Sequence, residues 1–266
     1  MITFLVIKFK QLFHLPHFLF LWVQDKIKWY LAHGWTTFEG WGLHLYVGAF
    51  GAGKTSTLVH DAYSICKAYP SVSVLSNFAL YNFPEHTKIY PLRTVQDILN
   101  APNNTLVLID EIGTVFNSRD FMGGKGVPKI LFQHICQCRK RHLQILATTQ
   151  RWNFLDKQLR DITATVTSTR VFAKHPFSRM ATCRTYYADD YNLAYTNPVY
   201  QPVVIGTHVY IQTDALRNRY DTTELVKTML ASDYVSDTEI MQNRSETTQN
   251  PVELSRQAAR KVRKSK

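Results

Sequence analysis

The chain has 266 residues, 45% of them hydrophobic and 13% aromatic, which excludes a disordered polymer and a fibrous repeat. A mean hydropathy of −0.20 excludes a polytopic membrane protein. Lys and Arg number 31 against 20 Asp and Glu, a formal charge of +11, so an anionic partner is expected, either nucleic acid or the negative face of a membrane.

Residues 1–40 read as a hydrophobic or amphipathic arm. The apolar stretch from Leu12 to Val23 is interrupted by His14, Pro16 and His17, whereas a membrane-crossing helix needs about 20 apolar residues in succession. Lys8 and Lys10 sit in the middle, and bulky Trp22 and Val23 close the run; a secretory signal has its charges first and small residues last. One reading is an element lying on a membrane surface, aromatic rings at the headgroups and lysines beside anionic lipid. The other is an arm packed on its own domain or on a neighbouring subunit. A full span from Ile2 to Val23 is the lesser reading.

From residue 41 to 231 the pattern is that of one α/β domain. Short β-rich runs, LHLYV (43–47), VSVLSNF (72–78), TLVLID (105–110) and LQILATT (143–149), alternate with helical patterns at about 54–68, 92–100, 127–141 and 154–161. Such alternation predicts βαβ units and a mainly parallel central sheet flanked by helices. After Arg160, the segments ATVTSTRVFA, MATCRTYYA and VVIGTHVYIQ alternate apolar and polar residues, which predicts a β-rich mixed or antiparallel extension. A short helix is predicted at about 222–231. The tail, 232–266, is polar, and its last sixteen residues carry Arg256, Arg260, Lys261, Arg263, Lys264 and Lys266 against Glu253 alone. It reads as a solvated tail or a nucleic-acid-binding arm. Cys66, Cys136, Cys138 and Cys183 are too few and too irregular for a disulfide scaffold, and one C-x-C pair is a weak zinc signal.

The chemistry concentrates at three strand ends. Gly48-Ala49-Phe50-Gly51-Ala52-Gly53-Lys54-Thr55 is a complete G-x-x-x-x-G-K-[ST], directly after LHLYV and opening the helical pattern TSTLVHDAYSICKAY. Glycines let successive N–H groups turn toward phosphate oxygens, and the helix N-terminus adds partial positive charge. This segment, with Ser56, is the expected cradle for ATP. Lys54 is placed to reach the β- and γ-phosphates and Thr55 to ligate Mg²⁺. TLVLI ends in Asp110 and Glu111: Asp110 to hold Mg²⁺, Glu111 to orient and deprotonate the attacking water. LQILATT ends at Gln150, whose amide can both donate and accept at the γ-phosphate or the lytic water. These residues predict a P-loop NTPase that hydrolyses ATP.

Candidates for a guanidinium finger, which motor ATPases often supply from the next subunit, are Arg119, Arg139, Arg141 and Arg160. The run Arg139-Lys140-Arg141-His142 equally suits a nucleic-acid backbone. The glycine-rich stretch RDFMGGKGVP, residues 119–128, reads as a loop able to grip DNA or as an ordinary surface loop.

GAFGAGKTS, VLSNF, LVLIDEIGTVFNSR and RKRHLQILATTQ together resemble the zonular occludens toxin (Zot-like) family, phage assembly ATPases of the HerA/FtsK group of P-loop motors; DxxLR from Asp156 to Arg160 and YDTTE from Tyr220 to Glu224 are similar to segments of related viral ATPases. The resemblance covers residues 41–175. It implies that Lys54 and Thr55 are the Walker A positions, Asp110 and Glu111 the Walker B pair, and Gln150 the group's strand-ending glutamine. It also implies a homo-oligomeric ring, DNA as the translocated partner, phage coat or assembly proteins as contacts, and a place in the host cytoplasm, at the inner face of the membrane if the arm binds lipid. Zot-like proteins carry a transmembrane helix after the ATPase domain. None is predicted after residue 175 here, which leaves open a motor that loads a genome into a particle. A membrane-bound morphogenesis ATPase that does not grip DNA and a nucleotide-gated switch are the rival classes.

Overall fold

The computed structural model describes residues 2–34, 37–113, 135, 137–173 and 177–222. The proposed loop at 119–128, Arg119, the helix predicted at 222–231 beyond its first residue, and the basic tail lie outside them.

The first element is α1, Ile2–His33, a helix that runs through Pro16. The interruption read in the sequence is one of the apolar run, not of the helix. Pro16 removes one backbone donor, but the helix continues on both sides. No helix among the described residues is long and apolar enough to cross a membrane. Phe18, Phe20, Trp22, Ile27 and Leu31 are 56%, 64%, 48%, 55% and 83% exposed, so the described residues of the domain do not cover this surface.

The domain is built on an eight-stranded sheet of order β4-β2-β5-β6-β1-β7-β8-β9. The strands are β1 Gly42–Val47, β2 Ser73–Ser76, β4 Ile89–Pro91, β5 Thr105–Ile109, β6 Leu143–Thr149, β7 Thr163–Phe172, β8 Met180–Tyr187 and β9 Val204–Ile211; β3, Ala79–Leu80, lies outside this sheet. From β4 to β7 neighbouring strands are parallel; β7–β8 and β8–β9 are antiparallel. All five residues of β5 are buried, as expected where helices cover both faces of a parallel sheet. The extension is continuous with the sheet: β7 continues the parallel part beside β1, β8 alone runs against it, and β9 runs again in the direction of β7.

Helix α2, Lys54–Ala68, packs on one face. Its Leu58, Val59, Ala62 and Cys66 are fully buried in a cluster with Val74, Leu106, Leu108, Leu146 and Phe38. Burying each such aliphatic side chain contributes about 1.5–3 kcal/mol, and this burial anchors the helix that opens the P-loop. Shorter helices are α3, Val95–Asn100, α4, Cys138–Arg141, α5, Lys157–Asp161, and α7, Asp214–Arg217. Helix α6, Ala188–Thr196, joins β8 to β9 where no helix was expected. Of the helix predicted over 127–141, the described residues contain α4. Cys66, Cys138 and Cys183 are buried, and Cys66 and Cys183 are free thiols.

Candidate nucleotide site

Three strand ends meet at the carboxyl edge of the sheet. β1 leads into the P-loop, and β6 lies between it and β5. The registers Val47↔Thr149 and Ile109↔Ala147 put the three ends side by side. Asp110, Glu111 and Gln150 are therefore delivered beside the P-loop by strand pairing, at the edge where open parallel sheets bind ligands.

The P-loop backbone depends on its glycines. Gly51 and Gly53 have φ of +72° and +84°, the left-handed region that costs other residues roughly 1 kcal/mol or more. At Gly48 a Cβ would lie 2.9 Å from both Ala52 Cβ and Thr169 Oγ1; at Gly53 it would lie 2.8 Å from Val171 Cγ1 and 3.0 Å from Gln212 Nε2. Thr169, Val171 and Gln212 thus brace the loop from β7 and from the residue after β9. The motif did not reveal them, because their closeness follows from strand order. Ala49 and Phe50 lie at the exposed tip, with the Phe50 ring centroid 5.8 Å from Lys54 Nζ.

Lys54 is 7% exposed. Its Nζ donates to Ala49 O (3.3 Å) and lies 3.8 Å from Glu111 Oε1. Thr55 Oγ1 donates to Asp110 Oδ1 (2.9 Å). Ser56 is turned elsewhere: its hydroxyl accepts from Tyr210 OH (3.2 Å), tying α2 to β9. The expected role of Ser56 at the nucleotide is thus not one for its side chain.

Two further residues hold the acid pair. Thr148 Oγ1 donates to Asp110 Oδ1 (2.7 Å) and accepts from the Glu111 N–H (2.8 Å). Asn77, just past β2, grips Asp110 from the other side: its Nδ2 donates to Asp110 O (3.1 Å), and its Oδ1 accepts from Asp110 N–H (2.8 Å). Asn77 was legible only as part of VLSNF. Its role needed the β2–β5 pairing.

Glu111 has a φ of +52°, a strained conformation of the kind that persists where surroundings over-determine it. Gln150 Nε2 reaches its Oε1 at 3.5 Å. Burial pushes the Glu111 carboxyl above its ordinary value; the Lys54 ammonium opposes the rise, the Asp110 carboxylate adds to it, and the Gln150 amide opposes it. A carboxylate with raised proton affinity is a better general base near neutrality.

Of the arginine candidates, Arg139, Arg141 and Arg160 are among the described residues. Arg141 precedes β6 at the amino edge, the length of a seven-residue strand from its own chain's P-loop, roughly 20 Å. Its guanidinium donates to Leu99 O (3.1 Å) and to Ala101 O, tying β6 to the end of α3. Arg160, on α5, donates through Nη1 to Asn153 Oδ1 (3.1 Å). Arg139 lies 5.8 Å from the Trp41 ring.

The donor set fits Mg²⁺. A hydroxyl and a carboxylate oxygen, Thr55 Oγ1 and Asp110 Oδ1, stand side by side, the hard oxygen ligands that Mg²⁺ takes. Asp110 is 7% exposed, and among the described residues the Lys54 ion pair goes to Glu111 instead.

A strand running into a glycine-braced phosphate loop, with an acid pair two strands away and between them an apolar strand ending in polar residues, defines a P-loop NTPase. No protein-family model and no curated protein matches the chain. Among solved structures, it is similar to the N-terminal domain of zonular occludens toxin from Neisseria meningitidis, at 18% identity over 68% of this chain and 100% of that one, with a TM-score of 0.43. It is also similar to B204, the DNA-packaging ATPase from Sulfolobus Turreted Icosahedral Virus, at 11% identity over 62% and 97% of the two chains, TM-score 0.41. A third is the genome packaging NTPase B204 from Sulfolobus turreted icosahedral virus 2 in complex with ATP-gammaS, at 12% identity over 61% and 96%, TM-score 0.40. The first of these bears the name of the family that the sequence motifs resemble.

Proposed function

We propose that the chain hydrolyses ATP and uses the cycle to move viral DNA during packaging or virion assembly. The observation that carries the hydrolytic part is the convergence of Lys54, Thr55, Asp110, Glu111 and Gln150 at one sheet edge, with Glu111 Oε1 3.8 Å from Lys54 Nζ and 3.5 Å from Gln150 Nε2. Lys54 and the P-loop N–H groups bind the phosphates. Thr55 and Asp110 would hold Mg²⁺, which when bound offsets phosphate charge. Glu111 takes a proton from the attacking water, and Gln150 orients that water or senses the γ-phosphate. Thr148 holds the Asp110 carboxylate and the Glu111 backbone, and Asn77 the Asp110 backbone.

The DNA part rests on the charge of +11 and on the resemblance to phage assembly motors. In this reading the subunits form a ring in the host cytoplasm and act with coat or assembly proteins. The test is hydrolysis by the purified chain with and without single- and double-stranded DNA. DNA stimulation that falls steeply with salt, and loss of hydrolysis in Lys54→Ala, are expected. Turnover retained in Lys54→Ala refutes the site, and indifference to both nucleic acids refutes the DNA role.

A second reading concerns α1. Its exposed Phe18, Phe20 and Trp22, with Lys26 Nζ 4.8 Å from the Trp22 ring centroid, suit an anionic membrane surface. Flotation with anionic vesicles, lost on deletion of residues 1–33, supports it; failure of the intact chain to float removes it.

A further inference from the structure

A group of donor atoms lies outside the nucleotide site, on the seam between α2 and β9. Ser56 and Thr57 meet the Tyr210 hydroxyl at 3.2 and 3.0 Å. One helical turn further on come His60 and Asp61. Two residues earlier on β9, on the same face as Tyr210, comes His208. The 3.6-residue helix period and the two-residue strand period make these neighbours.

Asp61 is the hub. Its Oδ2 accepts from Tyr46 OH (2.8 Å). Its Oδ1 lies 3.0 Å from His60 Nδ1 and 3.6 Å from His208 Nε2. His208 Nε2 is buried without a hydrogen-bond partner. The His60 ring is stacked on Tyr210 at 4.2 Å between centroids, and the two histidine rings are within 14° of parallel. One donor atom from each of His60, Asp61 and His208 can be chosen so that all three lie within 4.8 Å of one another.

We propose that His60, Asp61 and His208 form a binding site for a divalent cation of the zinc class, which fastens the P-loop helix to β9. Two imidazole nitrogens and one carboxylate oxygen suit zinc or cobalt, whereas Mg²⁺ and Ca²⁺ prefer all-oxygen sites. Tetrahedral zinc with bonds of about 2.1 Å separates its donors by about 3.4 Å, so binding requires the imidazoles to close in by a ring rotation. Tyr46 fixes the carboxylate from behind, as outer partners of metal ligands do. His60 and His208 side chains are 34% and 38% exposed, which leaves room for a water as fourth ligand.

The test uses the full chain, stripped by chelator and titrated with Co²⁺ and then Zn²⁺, without nucleotide or Mg²⁺. About one equivalent of Co²⁺ is expected to give the visible band of tetrahedral nitrogen–oxygen coordination and to be displaced by Zn²⁺. His208→Gln is expected to weaken binding at least about tenfold. At a hundredfold excess over Kd, Zn²⁺ is expected to raise Tm by roughly 5 °C in the wild type and not in His208→Gln. Lys54→Ala is expected to bind Co²⁺ as the wild type does, which separates this site from the nucleotide site. Absence of binding, a thiolate charge-transfer band, or equal binding by His208→Gln overturns the proposal. A Tm that depends on His208 through pH alone, with no metal taken up, likewise overturns it.

Discussion

Replacing Glu111 by Gln isolates the proton-accepting role from everything else that residue does. The amide keeps the size of the side chain, and the backbone N–H still reaches Thr148 Oγ1. What disappears is the negative charge. A positioned general base contributes about 10²–10⁴-fold, so turnover is expected to fall by that factor, about 3–5 kcal/mol of barrier at 1.36 kcal/mol per decade. Nucleotide affinity is expected to hold or tighten. At 3.8 Å the attraction between Lys54 and Glu111 is about 4 kcal/mol gross for an effective dielectric constant of 20, and the substitution releases Lys54 for the phosphates. The effect on folding has the opposite sign from that on turnover. Because burial raises the carboxyl above its ordinary value of 4.5, its favourable contribution to stability is complete below pH 4.5 and is lost as pH rises through the folded value. Glu111→Gln is therefore expected to melt higher than wild type at neutral pH, with the gap closing as pH falls toward 4.5. Single-turnover ATP hydrolysis, nucleotide binding and melting curves between pH 4 and 8 measure the three effects. A variant with turnover within about tenfold of wild type refutes Glu111 as the base, and a variant that melts lower at neutral pH refutes the electrostatic reasoning.

Asn77→Ala removes both bonds to the Asp110 backbone, about 1 kcal/mol each; a Tm lower by roughly 4–8 °C and a kcat reduced more than nucleotide affinity are expected, by melting and steady-state kinetics. Gly53→Ala faces a φ of +84° and contacts of 2.8 and 3.0 Å, so loss of nucleotide binding, measured by equilibrium titration, is expected to exceed any loss of Tm. Arg141→Ala is expected to lower Tm through the freed carbonyls of Leu99 and Ala101 while leaving the specific activity of folded protein within about twofold; a large loss of turnover at unchanged Tm would keep Arg141 among the catalytic candidates.

The parallel sheet was legible because its strands are short apolar runs bounded by functional punctuation. LQILATT is β6 at both ends, and the helix at 54–68 is α2. The Lys54, Thr55, Asp110, Glu111 and Gln150 set was legible because each residue ends a strand or opens a helix, where a ligand edge must lie. Asn77 was not, since an asparagine after a strand is ordinary until β2 is known to pair with β5. The place of Arg141 at the amino edge was not legible, because basic residues near a motif say nothing about which edge of the sheet they occupy. Helix α6 was hidden in ADDYNLAYT, where an early acid pair offers only a weak helix signal. In α1, Pro16 breaks the apolar run but not the helix, since a single missing donor is outweighed by the turns on either side.

The Thr148 hydroxyl touches both acids at once, donating to one side chain and accepting from the other's amide. The two acids are consequently geared together through β6, the strand that also carries Gln150, so a displacement of that strand would move both at once.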